Sequence, residues 1–90
     1  MSNPQESPGR SDELPPLPRL PVGRYRHYKG NYYWVLGVAR HSETLEPMVV
    51  YRPIPLEEKD EEFWVRPFEM FTGTVDLDGH QIPRFVRVGD

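Results

Sequence analysis

Cysteine is absent from the 90 residues of this chain. Disulfide bonds, zinc sites built on thiolates and thiol catalysis are therefore excluded. Long apolar runs are absent as well, so no segment predicts a membrane span, and the polar N-terminal stretch lacks the apolar run of a signal peptide. These absences predict a soluble cytoplasmic protein with no membrane partner.

Aromatic residues are missing from the first 23 positions, which hold six of the eleven prolines. Such a segment cannot bury enough apolar surface to offset the entropy lost on ordering. Residues 1–22 are therefore predicted to form a disordered, Pro-rich arm, and residues 23–88 a single small domain. Residues 14–21 of the arm, Leu-Pro-Pro-Leu-Pro-Arg-Leu-Pro, resemble a polyproline ligand, although a flexible tether is the favoured interpretation.

Charge is segregated along the chain, whose net charge is −3. Residues 24–56 carry five lysines and arginines against two glutamates, whereas residues 57–62 carry five acidic residues and one lysine. The acidic run predicts a solvated loop. One hypothesis is that it folds back over the cations and shields them from phosphate.

Turn signals divide the domain into short β-type segments. Gly30-Asn31 and Asp78-Gly79 each predict a two-residue hairpin turn, and Pro67 predicts a helical turn near 67–71. The predicted strands lie near 24–29, 32–40, 48–52, 63–66, 74–77 and 80–82, followed by alternating apolar residues over 83–88. The fold class is therefore mostly β, and closure of five or six short strands into a small SH3-like β-barrel would best hide their edges.

The inward face of residues 32–40 stays open at this point, because Gly37 predicts a bulge that can shift the alternation. If Tyr33, Val35 and Ala39 point inward, Trp34 and Arg40 point outward and become binding candidates. The opposite register makes Trp34 part of the core.

Several segments match one bacterial family in the same order along the chain. They are Gly23-Arg24-Tyr25-Arg26-His27-Tyr28-Lys29-Gly30, residues 35–44 (Val-Leu-Gly-Val-Ala-Arg-His-Ser-Glu-Thr), Val49-Val50-Tyr51-Arg52, Trp64-Val65-Arg66-Pro67, Met70-Phe71 and Pro83-Arg84-Phe85. Over residues 22–86 the chain thus resembles the family called domain of unknown function 1653. That resemblance supports the fold prediction and implies no activity. Trp34 departs from the pattern, since a polar residue is common there.

Cations and aromatic rings supply the candidate binding residues, which are Tyr28, Arg40, His41, Arg52, Trp64 and Arg66. Arginines can neutralise phosphates while rings stack on unpaired bases, as in small β-domains that bind single strands. Arg52 and Arg66, on adjacent predicted strands, could flank Trp64 and form a cationic pocket for a planar anion, a nucleotide or an acidic peptide. The alternative is that Trp64 is core and the arginines pair with acids.

Catalytic and metal chemistry have weaker support. His41 and Glu43 can share a face of an extended segment, which leaves a small hydrolase or ligand-processing enzyme as an alternative, but a loop salt bridge explains the pair equally well. His27, His41 and His80 lack metal-ligand spacing, so no metal site and no cofactor are predicted. The sequence therefore favours a binding or interaction module with no catalytic residues, whose partner is a protein or a single-stranded nucleic acid.

Overall fold

The computed structural model describes residues 14–54 and 62–90. Over these ranges the chain forms, in order, β1 (Gly23–His27), β2 (Tyr32–Arg40), β3 (Pro47–Ile54), β4 (Trp64–Pro67), α1 (Phe68–Phe71), β5 (Thr74–Leu77), β6 (His80–Pro83) and β7 (Phe85–Gly89). Five strands form an antiparallel sheet in the order β4-β3-β2-β1-β7, and β5 pairs with β6 in a separate hairpin. The mostly β class and the helical turn are confirmed. The predicted count of five or six strands is too low, because residues 85–89 form β7.

The five-stranded sheet is open. Its edges are β4 and β7, and no hydrogen-bonded pairing joins them within the described ranges. The predicted SH3-like barrel is therefore not confirmed. Proline explains part of the difference, since Pro67 has no backbone N–H to extend β4 and precedes α1, which carries the chain away from the sheet.

The two hairpins differ in how well the sequence predicted them. Between β5 and β6, Asp78 and Gly79 both have positive φ and form the expected two-residue turn. Between β1 and β2, Gly30 has positive φ and Asn31 does not, so the two-residue turn predicted there is wrong. The backbone N–H of His27 donates to the carbonyl of Asn31 at 2.7 Å, which makes a three-residue loop and ends β1 two residues early.

A bulge decides which residues of β2 point inward. Tyr33 and Val35 face the core and Trp34 the opposite side, as one of the two registers requires. The pairing with β3 then shifts between Val35 and Gly37, and Val38 lies opposite the buried Val49. Alternation is inverted after the bulge, so Ala39 is exposed and Arg40 lies on the inner side.

The core covers one side of the sheet, here called the inner face. It consists of six buried residues, Tyr25, Val35, Val49, Tyr51, Phe71 and Phe85. The rings of Phe71 and Phe85 stack with centroids 3.9 Å apart, which fixes α1 against the sheet. The opposite side, here called the outer face, carries exposed apolar side chains such as Leu36 and Val65 within the described ranges.

The predicted arm is described from Leu14 onwards. Residues 14–22 contain no helix or strand, yet Leu20 packs against the core and the Arg40 guanidinium donates to the carbonyl of Pro15 at 2.7 Å. These are contacts that a detached tether would not make. The predicted disorder of residues 1–13 and most of the acidic run, residues 57–61, lie outside the described residues. No helix within the described ranges is long and apolar enough to cross a membrane.

Candidate functional site

Rings and cations gather where the inner face opens to solvent beyond the core. We call this group the cation–aromatic site, and its members are His27, Tyr28, Tyr33, Trp64, Arg66, Arg84 and Phe85. Strand register places them together, because residues directly opposite each other on antiparallel strands share a face. His27 lies opposite Phe85, Trp64 opposite Tyr51, and Arg66 opposite Val49.

The rings form a continuous series of contacts. Tyr28 lies against His27 with centroids 4.5 Å apart, and His27 meets Phe85 edge-on at 4.8 Å. Tyr33 then connects Phe85 to Trp64 at distances of 5.8 and 5.9 Å. The series leads from the buried core to Trp64, which is 38% exposed. The site therefore has an aromatic wall in which Trp64 is the most exposed ring.

Two guanidinium groups are held by their Nε atoms. Arg66 donates from Nε to the hydroxyl of Tyr51 at 3.1 Å and lies 5.6 Å from the ring centroid of Phe85. Arg84 donates from Nε to the carbonyl of Met70 at 3.2 Å. Among the described residues, none accepts a hydrogen bond from the terminal amino groups of either arginine. Each fork is thus oriented by the fold, and no described residue occupies the paired N–H groups that could bind a planar or tetrahedral anion.

His27 contributes a third donor. Its Nδ1 accepts a hydrogen bond from the backbone N–H of Lys29 at 3.2 Å, which assigns the proton of the neutral ring to Nε2. Burial lowers the pKa of His27, and the positive charges of Arg66, Arg84 and Lys29 lower it further. The described charges that act on this ring are all positive. The site accordingly offers donors and positive charge, and its chemical complement is an anion.

The sequence candidates divide among three places. Tyr28, Trp64 and Arg66 lie in the cation–aromatic site. Arg52 lies on the outer face opposite Trp34, so it cannot flank Trp64 together with Arg66. The pocket predicted from Arg52, Trp64 and Arg66 is therefore wrong. Trp64 pairs with Tyr51 and shares its face, and Arg52, the next residue along β3, points to the opposite face.

The outer face carries its own group of rings and cations. Arg24, Trp34, Leu36, Arg52 and Ile54 line a shallow depression of about 530 Å³. The Arg52 guanidinium lies 5.3 Å from the ring centroid of Phe63, a residue that is 61% exposed. The Nε atom of Arg52 is buried and has no hydrogen-bond partner among the described residues. On this face Arg24 donates from Nε to the carbonyl of Asp90 at 3.3 Å, whereas the arginine that lies over a ring, Arg52, is not anchored in this way by a described residue.

Arg40 and His41 lie at the far end of β2, near the arm. Arg40 donates to the carbonyls of Leu45 and Pro15. Nδ1 of His41 accepts hydrogen bonds from the backbone N–H groups of Glu43 and Thr44 at 3.1 and 3.2 Å, so this histidine closes the loop that follows β2. No three His, Asp or Glu side chains within the described ranges lie close enough to share a metal ion.

Sequence reasoning missed His27, Tyr33 and Arg84 as site members. The spacing of the histidines raises His27 only as a possible metal ligand, and Arg84 follows a proline between two strands, where no pattern fixes its direction. The signal that could have identified His27 is its place between Arg26 and Tyr28, two residues after the inward Tyr25 on the same strand.

Comparison with known proteins supports a family and no activity. Residues 23–87 match the family described as protein of unknown function (DUF1653). A crystal structure of a DUF1653 protein from Bordetella bronchiseptica is similar, with 38% sequence identity and a TM-score of 0.68 over 78% of this chain and 88% of that chain. No curated protein matches the chain significantly. With a family match across nearly the whole domain and a structural relative of this identity, the chain belongs to the DUF1653 family of proteins of unknown function.

Proposed function

We propose that this domain is a binding module whose cation–aromatic site binds single-stranded nucleic acid. A phosphate occupies the forks of Arg66 and Arg84, and a base stacks on the accessible ring of Trp64. The observation that carries this proposal is the pair of guanidinium groups, each anchored through Nε beside an aromatic wall. Anchoring lowers the side-chain entropy lost on binding, because the hydrogen bond at Nε already restricts the rotamers of each arginine.

A nucleotide satisfies both halves of the site. Guanidinium forks bind phosphate oxygens through paired, charge-assisted hydrogen bonds. Stacking of a base on an aromatic side chain contributes about 1–3 kcal/mol and tolerates any base. The carboxylates of an acidic peptide would use the forks but would not themselves stack on Trp64, which is why we favour nucleic acid over a protein partner.

The acidic net charge of the chain does not oppose this assignment. Association follows the local potential at a site more than the total charge of the protein. Lys29, whose ammonium lies 5.9 Å from the ring centroid of Tyr28, adds a further positive charge beside the two arginines. The site is therefore a positive region on a negatively charged molecule.

An amide-resolved NMR titration with a short, mixed-sequence single-stranded oligonucleotide tests the proposal. Shifts are expected at residues 27–29, 64–66 and 84–85, and they should reverse as salt is raised, because phosphate binding releases counterions. The matched arm uses a short acidic peptide under the same conditions. If the peptide moves these resonances and the oligonucleotide does not, the partner is a protein and the nucleic-acid proposal is wrong.

Two arginines on opposite faces provide the matched variants. Arg66→Gln should weaken oligonucleotide binding and reduce the slope of log K against log salt by about 0.7, the value for one phosphate contact on a single strand. Arg52→Gln should leave both quantities unchanged, since Arg52 lies on the outer face. A loss confined to Arg52→Gln would move the binding surface to the outer face. Amide spectra of both variants establish that they remain folded.

The hydrolase alternative receives no support from the contacts of His41. A general base needs a ring nitrogen free to take a proton from the nucleophile. Nδ1 of His41 is instead the acceptor for two backbone N–H groups of its own loop, which assigns the proton of the neutral ring to Nε2 and leaves neither nitrogen free to take a proton.

A further inference from the structure

The Pro-rich arm crosses the inner side of the domain as an extended segment. Residues 15–22 have no helix or strand, and four prolines among them hold φ near −65°. Residues that precede proline are driven toward extended geometry as well. Such a segment has no internal hydrogen bonds, so its backbone carbonyls are available to a partner.

Three side chains of the domain use those carbonyls. The hydrogen bonds run from Arg40 to Pro15 (2.7 Å), from the Tyr25 hydroxyl to Pro21 (2.6 Å) and from Nε of Arg87 to Val22 (3.1 Å). Burial raises the pKa of Tyr25, partly opposed by Arg87, so the hydroxyl remains a donor at neutral pH. The domain therefore binds both ends of this arm segment through hydrogen bonds to its backbone carbonyls rather than to its side chains.

Apolar contacts fill the interval between these bonds. Leu20 packs against the core cluster, and Leu17 and Pro18 are half-buried. Val38 lies beside residues 17–21, and Phe68 shares a depression with Pro18. Side-chain donors to carbonyls together with apolar contacts to alternating leucine and proline are the means by which proteins recognise polyproline segments.

We propose that this surface, formed by Tyr25, Val38, Arg40, Phe68 and Arg87, is a polyproline-binding groove that accepts a leucine- and proline-rich segment of another protein chain. The arm is the internal copy of that ligand and competes with it. This inference is independent of the proposed nucleic-acid function, since the groove and the cation–aromatic site share no residue.

Competition from the arm sets the strength of binding to an external segment. A short tether holds a ligand at an effective concentration of about 1 mM, so an external segment of equal intrinsic affinity displaces half of the arm at about that concentration. Release of the arm should therefore strengthen external binding without any change in the groove.

A substitution in the arm of the full chain can release it while leaving the groove intact. Pro18 shares its depression with Glu46 and Glu69, so Pro18→Asp places a third carboxylate among them. Pro16→Asp is the matched control, because Pro16 is exposed and the charge added is the same. The probe is a fluorescently labelled peptide with the sequence of residues 14–22, and the readout is anisotropy.

The labelled peptide should bind the Pro18→Asp chain about tenfold or more tightly than the natural chain or the Pro16→Asp chain, whose grooves are occupied. Adding Arg40→Gln to Pro18→Asp should abolish that gain. A folded Pro18→Asp chain that shows a released arm and no peptide binding would overturn the proposal and leave the arm a purely structural strap.

If the Pro18→Asp chain unfolds or keeps its arm docked, a titration of the natural chain with the same peptide tests the proposal instead. Unlabelled peptide should move the amide resonances of Arg19, Leu20 and Val22 from their docked to their released positions, with a midpoint of about 1 mM. Resonances that stay docked at several times that concentration would overturn the proposal.

Discussion

The two faces of the five-stranded sheet are built from neighbouring residues and have opposite character. The inner face buries rings against α1 and the arm, and its cations are held by hydrogen bonds. The outer face exposes apolar side chains such as Leu36, Val65 and Val86 and carries Arg24, Arg26 and Arg52 at strand positions. What reads as one basic block in the sequence is therefore two surfaces, because adjacent strand residues point to opposite sides.

Ring packing, together with the anchoring of the arginine that lies over a ring, distinguishes these faces more than composition does. Trp34 and Trp64 are both partly exposed, but they differ in their aromatic contacts. The ring centroid of Trp64 lies 5.9 Å from that of Tyr33 and 6.0 Å from that of Tyr51, whereas Trp34 has no aromatic pair among the described residues. Arg66 and Arg52 both approach a ring, but only Arg66 has its Nε bonded to a described residue. An oriented charge beside a fixed ring is a better ligand site than the same two groups in the open.

The largest expected contrast concerns stability. Phe71→Ala should lower the free energy of unfolding by about 3–5 kcal/mol, because it removes a ring that is 1% exposed and stacked on Phe85. That loss approaches the entire stability of about 3–10 kcal/mol expected for a domain of this size. Val65→Ala, at a 57% exposed outer-face position, should cost below about 1 kcal/mol. Urea unfolding monitored by tryptophan fluorescence measures both.

Equal losses in these two variants would contradict the assignment of faces. Such a result would mean that the outer face is covered in solution by a surface that buries Val65. A concentration-dependent midpoint for the natural chain would then identify that surface as a second copy.

The next contrast separates the two tryptophans. Trp64→Ala should weaken oligonucleotide binding by about 1–3 kcal/mol, the value of one stacked base, whereas Trp34→Ala should leave it unchanged. Fluorescence anisotropy with a labelled oligonucleotide gives both affinities. A loss of affinity in Trp34→Ala alone would place the stacking ring on the outer face. Equal losses of affinity in the two variants would indicate that the oligonucleotide wraps around the sheet edge formed by β4.

The fold was predictable where local chemistry dominates. Alternation and turn residues located β2, the β5–β6 hairpin and the helical turn that begins after Pro67. Barrel closure failed as a prediction because it depends on pairing between distant strands, which no local pattern encodes. The bulge between Val35 and Gly37 was foreseen at Gly37, but its effect on Ala39 and Arg40 required the register with β3.

The candidate site was predictable only in part, for the same reason. Trp64 and Arg66 lie on one strand two residues apart, so their shared face follows from the period of a strand. Arg84 joins them from a position between two strands, and its direction depends on the carbonyl of Met70 in α1. Arg52 was misplaced because proximity of strands was predicted correctly while register was not.

The smallest expected effect, and the most local, is on the pKa of His27. Burial lowers this pKa first, and Arg66, Arg84 and Lys29 lower it further, so the imidazolium is disfavoured in the folded state. The free energy of unfolding should therefore fall as the pH drops below about 6.5, the usual histidine pKa that applies to the unfolded chain. The fall should continue until the pH has passed the lower pKa of the folded state. Arg66→Gln should raise the pKa of His27 and lessen that fall, whereas Arg52→Gln should change neither. NMR titration of the His27 ring protons measures the pKa directly.

The same resonance reports which face holds the ligand. A phosphate bound by Arg66 and Arg84 brings negative charge to His27 and should raise its pKa, because an anion favours the imidazolium. An oligonucleotide bound on the outer face would have the sheet between its phosphates and His27. It should therefore leave the pKa of His27 unchanged. If oligonucleotide binding saturates while the His27 titration curve stays in place, the ligand lies elsewhere. A raised pKa in the natural chain that disappears in Arg66→Gln would tie the anion to the fork of Arg66, and so to the inner face.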